Sequence, residues 1–186
     1  MKKKCFLFFF IMAMAACDKD ETIYVSIFQP GPMEHGMATA TKINREWVAS
    51  AYGQEEDWSE GTVSVIMQTY SEEGFLREML GFNEVPLKPG IYPLGTTTQD
   101  DFNDGILGAS YGTLTDDGDV TEDYYYIDVN SLDNKLEVVS VDTVLRKVSG
   151  TFTASFILNT PGGQVNPNNP PKMKFSDGMF EVNIIE

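Results

Sequence analysis

Apolar and polar residues alternate with a period of two along most of the chain after Met37. The clearest example is residues 148–158, where one face is apolar and the other carries serine and threonine. The apolar face comprises Val148, Phe152, Ala154, Phe156 and Leu158. Successive side chains of a strand point to opposite faces of a sheet, so this pattern predicts a strand with one buried face.

Similar alternation recurs at residues 62–68 and 180–184, and turn-forming residues separate the candidate strands. The turn signals fall at residues 43–46, 71–74, 88–90, 116–119 and 133–134. No twelve-residue segment carries a helical apolar stripe, and we interpret the nearest one, residues 76–82, as a strand. The pattern predicts an all-β fold, an antiparallel sandwich or barrel of about eight to ten short strands with little helix. Residues 159–171, rich in proline and asparagine, are predicted to form a long loop.

The N-terminus has a different pattern from the rest of the chain. Three lysines, Lys2 to Lys4, precede an apolar run of about ten residues and then small residues before Cys17, as in a secretory signal. The apolar run is shorter than the ~20 residues that span a bilayer. The ending Ala15-Ala16-Cys17 resembles the lipobox of bacterial lipoproteins. That resemblance implies cleavage after Ala16 and a diacylglycerol on the sulfur of Cys17, which would attach the chain to a lipid bilayer. The alternatives are an ordinary signal peptide with a coincidental cysteine, or a buried helix.

These features predict three regions. Residues 1–16 are a lipoprotein signal peptide, residues 17–36 are an acidic tether rich in proline and glycine, and residues 37–186 are a single β domain. A short strand at residues 22–28 is a further possibility within the tether.

Charge and composition exclude several classes of function. Loss of residues 1–16 changes the formal net charge from −15 to −18, which disfavours nucleic acid and peripheral binding to anionic lipid. Cys17 is then the sole cysteine and His35 the sole histidine. No Ser-His, Cys-His or His-metal constellation can be assembled beyond what His35 alone provides, so we expect a protein without catalytic activity. Its oligomeric state is left open.

Four segments together resemble a family of small secreted lipoproteins from Bacteroidota whose function is unknown. They are Ala40-Thr41-Lys42-Ile43-Asn44-Arg45-Glu46-Trp47, Pro89-Gly90-Ile91-Tyr92-Pro93-Leu94, Val148-Ser149-Gly150-Thr151-Phe152-Thr153-Ala154-Ser155-Phe156 and Ser176-Asp177-Gly178-Met179-Phe180-Glu181-Val182. The resemblance implies a β-rich fold and a location in the cell envelope, and it implies no catalytic residues. Arg45 stands where that family usually has glycine, which weakens the expectation of a tight two-residue turn.

The same resemblance bears on location. An acidic stretch just after the acylated cysteine is similar to a signal for display on the outer face of the outer membrane, and Asp18-Lys19-Asp20-Glu21 resembles it. We therefore expect an outer-membrane lipoprotein facing outside. Two alternatives stay open, an inner-membrane retention signal of the enteric type and a solvated acidic tether.

Two acidic loops, residues 99–105 and 115–123, contain many of the oxygen ligands that Ca²⁺ prefers. Neither has the spacing of an EF-hand loop with its closing glutamate. We interpret both as solvated turns and expect no cofactor, although weak Ca²⁺ binding is the alternative.

Aromatic residues are the candidates for ligand contact. Trp58, Tyr124 and Tyr126 could form a platform on which sugar rings stack, whereas core packing and strand propensity are the alternative explanation. Tyr125 should point to the opposite face, and Trp47, which shares a face with Ala49 and Ala51, is predicted to be a core residue.

The leading hypothesis is a non-catalytic binding module for an extracellular glycan or protein. One alternative is a glycan-processing enzyme with paired carboxylates, although the 28 aspartates and glutamates offer many pairs and the sequence singles out none. The other alternative is a structural or inhibitory envelope component with no small ligand.

Overall fold

The computed structural model describes residues 28–55, 61–96, 106–160 and 162–185. These ranges contain no helix, and none of them supplies a helical segment long and apolar enough to cross a bilayer. They form eleven strands, so the all-β prediction is confirmed. The strands are β1 Gln29–Pro30, β2 Gly36–Lys42, β3 Arg45–Glu55, β4 Thr62–Tyr70, β5 Leu76–Pro86, β6 Gly90–Gly95, β7 Leu107–Leu114, β8 Thr121–Ile127, β9 Lys135–Asp142, β10 Lys147–Leu158 and β11 Lys172–Ile185.

Eight of these strands pair in a closed ring. The order around the ring is β4, β5, β7, β8, β10, β11, β2, β3 and back to β4, with every neighbouring pair antiparallel. The last three residues of β10, Phe156 to Leu158, pair with β8, while residues 147–153 pair with β9. β9 pairs in turn with β6, which lies parallel to the start of β7. Between β10 and β7, the barrel wall therefore consists of β8 towards one end of the barrel and of β9 and β6 towards the other.

The hairpin of β2 and β3 has a tight two-residue turn. Its two turn residues, Ile43 (φ 46°) and Asn44 (φ 63°), both have left-handed backbone, and Lys42 pairs directly with Arg45. Such two-residue turns match the twist of the strands that they join. The tight turn is thus present with arginine at position 45.

The sheet begins before the predicted domain boundary at residue 37. Gln29 and Pro30 pair with Tyr70 and Thr69 at the end of β4, in a stretch predicted as tether. β3 pairs with β4 only from Ser50 onwards, so β1 occupies the position beside β4 that β3 leaves. His35 is exposed, although its backbone oxygen accepts a hydrogen bond of 2.6 Å from the nitrogen of Asn183. The possible strand at residues 22–28 lies outside the described residues except for Phe28.

The barrel interior is filled by the predicted apolar faces. Along β10 the inward residues Val148, Phe152, Ala154 and Phe156 are buried and alternate with half-exposed polar ones, which confirms the strand pattern. Phe180, Val182 and Ile184 are buried on β11, and Val63, Val65 and Met67 are buried on β4. Trp47, only 5% exposed, is a core residue as predicted and packs edge-on against Phe175.

Candidate functional site

A cavity of about 1030 Å³ lies at one end of the barrel. Its wall is formed by the β2–β3 turn, the start of β5, the end of β7 and the residues from Asn166 to Met173, with Phe28, Gln29 and Pro30 on one side. Barrel mouths are common places for ligand sites, because the strands hold the surrounding side chains rigidly. It is larger than the recess of about 410 Å³ on the outer face of the sheet.

The floor of the cavity is a buried polar network centred on Glu78. Its carboxylate forms an ion pair with Lys42 and accepts hydrogen bonds from Trp47 Nε1 (3.0 Å), Thr69 Oγ1 (2.9 Å) and the Tyr111 hydroxyl (2.9 Å). Four donors therefore satisfy a carboxylate that is only 2% exposed. A buried charge is tolerated when it is paired and hydrogen-bonded in this way.

This network determines the protonation states at the floor. Burial by itself would raise the pKa of Glu78, but the charge of Lys42 and the hydrogen bonds to Lys42, Trp47 and Thr69 hold that pKa below its usual value. Burial and the Glu78 carboxylate raise the pKa of Tyr111 well above its usual value. At neutral pH the floor therefore holds an ionised carboxylate and a protonated phenol that donates to it.

Two cations face the cavity from the β2–β3 hairpin. Lys42 follows Ala38 and Ala40 on the inward face of β2, and Arg45 precedes Trp47 on the inward face of β3. Lys42 also lies over the ring of Tyr111, with its nitrogen 5.4 Å from the ring centroid. A third cation, Arg77, forms an ion pair with Asp116 and packs over Phe28 on the side wall.

One buried carboxylate holds the loop that forms the opposite wall. Asp123 accepts hydrogen bonds from Thr160 Oγ1 (3.0 Å), Val165 N (2.8 Å), Asn166 N (3.1 Å) and Asn169 Nδ2 (2.7 Å). Burial by itself would raise the pKa of Asp123, but these donors outweigh it and hold the pKa below its usual value. The described residues of the predicted loop, 159–160 and 162–171, form no strand, and Asp123 holds them beside the cavity.

The tyrosine run divides between the two faces of β8 as predicted. Tyr125 is buried, and its hydroxyl donates to the backbone oxygen of Pro170, 2.9 Å away, which adds a second attachment for the same loop. Tyr124 and Tyr126 lie on the outer face with ring centroids 5.0 Å apart and an interplanar angle of 67°. They border a recess of about 410 Å³ that also touches Thr160 and Val165.

Of the three residues in the predicted aromatic platform, only Tyr124 and Tyr126 lie within the described residues. Because Tyr124 and Tyr126 meet edge to face, they do not form one continuous flat surface, and a sugar ring could stack on only one of them at a time. Trp58 and Cys17, the other two residues singled out from the sequence, lie outside the described residues.

The structure describes only one of the two acidic loops that were considered as Ca²⁺ sites. Residues 99–105 lie outside the described residues. In the loop at residues 115–123 the carboxylates diverge: Asp116 pairs with Arg77, Asp117 accepts a hydrogen bond from Thr115, and Asp123 points inward. Within the described ranges no cluster of three or more histidine, cysteine, aspartate or glutamate side chains could hold a metal ion.

Several residues of the cavity were not predicted from the sequence, namely Lys42, Arg45, Glu78, Tyr111 and the asparagines at 166, 168 and 169. Two of these residues could have been found from the alternation of inward and outward positions along their strands. Lys42 continues the inward stripe of Ala38 and Ala40, and Glu78 interrupts an inward stripe between Leu76 and Leu80. A charged residue on an otherwise apolar face indicates either a paired buried charge or a polar site.

Protein-family models, curated proteins and solved structures were each compared with the chain, and none of them matches it. The evidence for a function therefore comes from the residues of this chain.

Proposed function

We propose that this chain is a membrane-anchored, surface-displayed lipoprotein whose barrel is a non-catalytic binding module for an extracellular glycan, with the cavity at the barrel mouth as its site. The single observation that carries the binding function is that cavity, about 1030 Å³ in volume and lined by both aromatic and amide side chains. The anchoring rests on the lipobox-like ending at Cys17 and the outward display on the acidic residues that follow it.

The chemistry of the cavity suits a sugar. Phe28, partly exposed on the side wall, contributes aromatic surface on which the apolar face of a sugar ring can pack, whereas Trp47 and Tyr111 are almost fully buried beneath the cavity. Asn168 contributes an exposed amide group that can both donate and accept hydrogen bonds, as sugar hydroxyls require. The side-chain amides of Asn166 and Asn169 are engaged within the protein and hold the wall in place. The Asp123 network and the strands hold these groups in place before a ligand arrives, which lowers the entropic cost of binding.

A protein partner is less well supported than a glycan, because the concave site at the barrel mouth suits a small ligand better than a flat protein surface. A carboxylate-dependent enzyme is also less well supported. Glycoside hydrolysis uses one carboxyl group with a raised pKa and one that stays ionised. The two buried carboxylates at the barrel mouth, Glu78 and Asp123, both have lowered pKa values, and their oxygens are already engaged by donors from the protein.

To test this proposal, the detergent-solubilised protein is titrated with a panel of soluble neutral and acidic oligosaccharides, and binding is measured by calorimetry. Asn168→Ala removes an exposed amide at the cavity, Tyr126→Ala removes an aromatic ring at the outer recess, and Asn130→Ala is a control at an exposed turn away from both.

We expect Asn168→Ala to weaken binding by about tenfold, in line with the loss of one or two hydrogen bonds, while the other two variants bind as the wild type does. Weakening by Tyr126→Ala alone would move the site to the outer face. Absence of binding to every sugar in the panel would overturn the glycan proposal.

A further inference from the structure

Two positively charged side chains of the cavity wall lie directly opposite each other on neighbouring strands. Lys42 and Arg45 are a directly paired couple of the β2–β3 hairpin, and both occupy inward positions of their strands. Directly opposite side chains in an antiparallel pair have Cβ atoms about 5 Å apart, and like charges there repel each other. Such a pair is costly for folding unless a negative charge offsets it.

The protein supplies that negative charge to only one of the two cations. Glu78 forms its ion pair with Lys42, and its remaining capacity is taken by Trp47, Thr69 and Tyr111. Arg45 makes no ion pair with any residue that the structure describes. The neighbouring Glu46 also borders the cavity, but it is exposed, lies on the opposite face of β3 from Arg45 and forms no ion pair with it. Glu122, which also borders the cavity, accepts a hydrogen bond from Asn166 Nδ2 at 2.9 Å.

The placement of these cations contrasts with the charge of the chain. The formal net charge of −15 repels anions in general, whereas the cavity lining balances three cations with three carboxylates, Glu46, Glu78 and Glu122. Lys42 and Arg77 are held in ion pairs, so Arg45 is the lining cation that has no ion pair among the described residues. A guanidinium presents a planar set of donors that matches a carboxylate in two parallel hydrogen bonds. Lys42 has three N–H donors, of which Glu78 takes one, so further donors remain beside Arg45.

We infer that the cavity selects a ligand with a carboxylate, an acidic oligosaccharide of the uronic acid class, whose carboxylate binds the guanidinium of Arg45 beside the ammonium of Lys42. This inference rests on the proposed glycan-binding function and specifies its ligand. The sugar body then lies against Phe28 and the amide of Asn168, while the charged group pairs with Arg45, which has no ion pair among the described residues.

The experiment compares a ligand with its uncharged counterpart. The detergent-solubilised protein is titrated by calorimetry with an oligogalacturonate and with the fully methyl-esterified form of the same oligomer, in which each carboxylate is replaced by a neutral methyl ester. The variants are Arg45→Gln and the matched control Arg146→Gln. Arg146 lies in the β9–β10 turn and pairs with Glu55 (3.1 Å) away from the cavity, so both substitutions remove one positive charge. An anionic naphthalenesulfonate dye and a neutral naphthalene dye provide a second pair of probes that contain no sugar.

The wild-type protein should bind the oligogalacturonate about tenfold or more tightly than its ester, since a hydrogen-bonded charge pair typically contributes at least that factor. Arg45→Gln should bring the ratio close to one, and Arg146→Gln should leave it unchanged.

The two proposals fail in distinguishable ways. Equal affinity for the acid and the ester overturns the carboxylate inference and leaves glycan binding in place. If neither of these two oligomers nor any sugar of the panel binds, but the anionic dye binds in a manner that depends on Arg45, the glycan proposal is overturned and the anion site stands. If the dye is also insensitive to Arg45, both proposals are overturned.

Discussion

Glu78 and Lys42 form a buried ion pair across the inside of the barrel, although their strands, β5 and β2, are not neighbours in the sheet. Glu78 is 2% exposed and Lys42 10%, so little water screens the pair. The pair ties two separate walls of the barrel together just below the cavity. The same contact keeps Lys42 in place beside Arg45, and it therefore links stability of the barrel to the proposed ligand site.

Lys42→Met should lower the free energy of unfolding by about 3 kcal/mol, because it leaves the Glu78 carboxylate buried without a counter-charge. The double variant Lys42→Met with Glu78→Gln should recover part of this loss, since no unpaired charge then stays in the core. Urea denaturation followed by tryptophan fluorescence measures both values. Equal or greater destabilisation of the double variant would contradict this account of the pair.

Asp123→Asn should loosen the loop at residues 159–171. All four groups that contact the Asp123 oxygens are donors, two on each oxygen, so either orientation of an asparagine amide places its NH₂ group against two other donors. Amide hydrogen exchange at Val165 and Asn166, whose N–H groups bond directly to the carboxylate, should accelerate about tenfold or more. Exchange at the centre of β4 serves as the internal reference, and unchanged protection at Val165 would argue against a role for Asp123 in holding the loop.

Stability should decline in acid because of Glu78 and Asp123. Both carboxyl groups have a lower pKa in the folded protein than in the unfolded chain, so the unfolded state takes up protons first as the pH falls. Their contribution is complete at neutral pH, decreases as the pH falls below the ordinary carboxyl value of about 4, and is lost once the pH is below the folded values. Urea midpoints measured from about pH 7 down to about pH 3 should show this decline, with a smaller slope below about pH 5 in Asp123→Asn. Identical slopes in the two proteins would show that Asp123 does not contribute.

Gly150→Ala should destabilise the barrel by about 1 to 3 kcal/mol. A Cβ at this position would lie 2.2 Å from the backbone oxygen of Glu137 and 2.7 Å from the ring of Phe180, which pairs with Gly150 across β10 and β11. Gly81→Ala is the matched control, because its added carbon would have nothing nearer than Ser110 Oγ at 3.8 Å. Thermal unfolding of the two variants should differ clearly, and equal melting temperatures would contradict the close packing at Gly150.

Cys17→Ser should abolish lipid attachment, since the proposed modification requires the sulfur of that residue. Mass spectrometry of the wild-type protein should show a chain that begins at residue 17 and carries fatty acids, and metabolic labelling with palmitate should be lost in the variant. Wild-type material that retains residues 1–16, or whose N-terminus carries no fatty acid, would overturn the lipoprotein proposal.

Much of the fold follows from the local alternation of apolar and polar residues in the sequence. Alternation along β10, β11 and β4 predicted which residues would be buried, because a strand with one apolar face has only one stable orientation against a core. The opposed directions of Tyr124 and Tyr125 follow from the same period. The sequence predicted about eight to ten strands in a sandwich or a barrel, whereas the described residues form eleven strands, eight of them in a closed ring. The choice of a closed ring and the insertion of β1 beside β4 were not predicted, because pairing between distant strands depends on the whole set of neighbours and not on any one segment.

The sequence by itself determined the all-β class, the buried faces of the strands, the position of the long loop and the acidic character of the chain, all of which depend on residues close together along the chain. Only the tertiary structure decided that Glu78 meets Lys42, that Asp123 holds residues 160–169, and that Arg45 faces a cavity without an acidic partner among the described residues. The physical reason is that a closed barrel brings inward side chains from non-adjacent strands within hydrogen-bonding distance. Alternation predicts that such side chains point inward, but the register and order of the strands determine which of them meet.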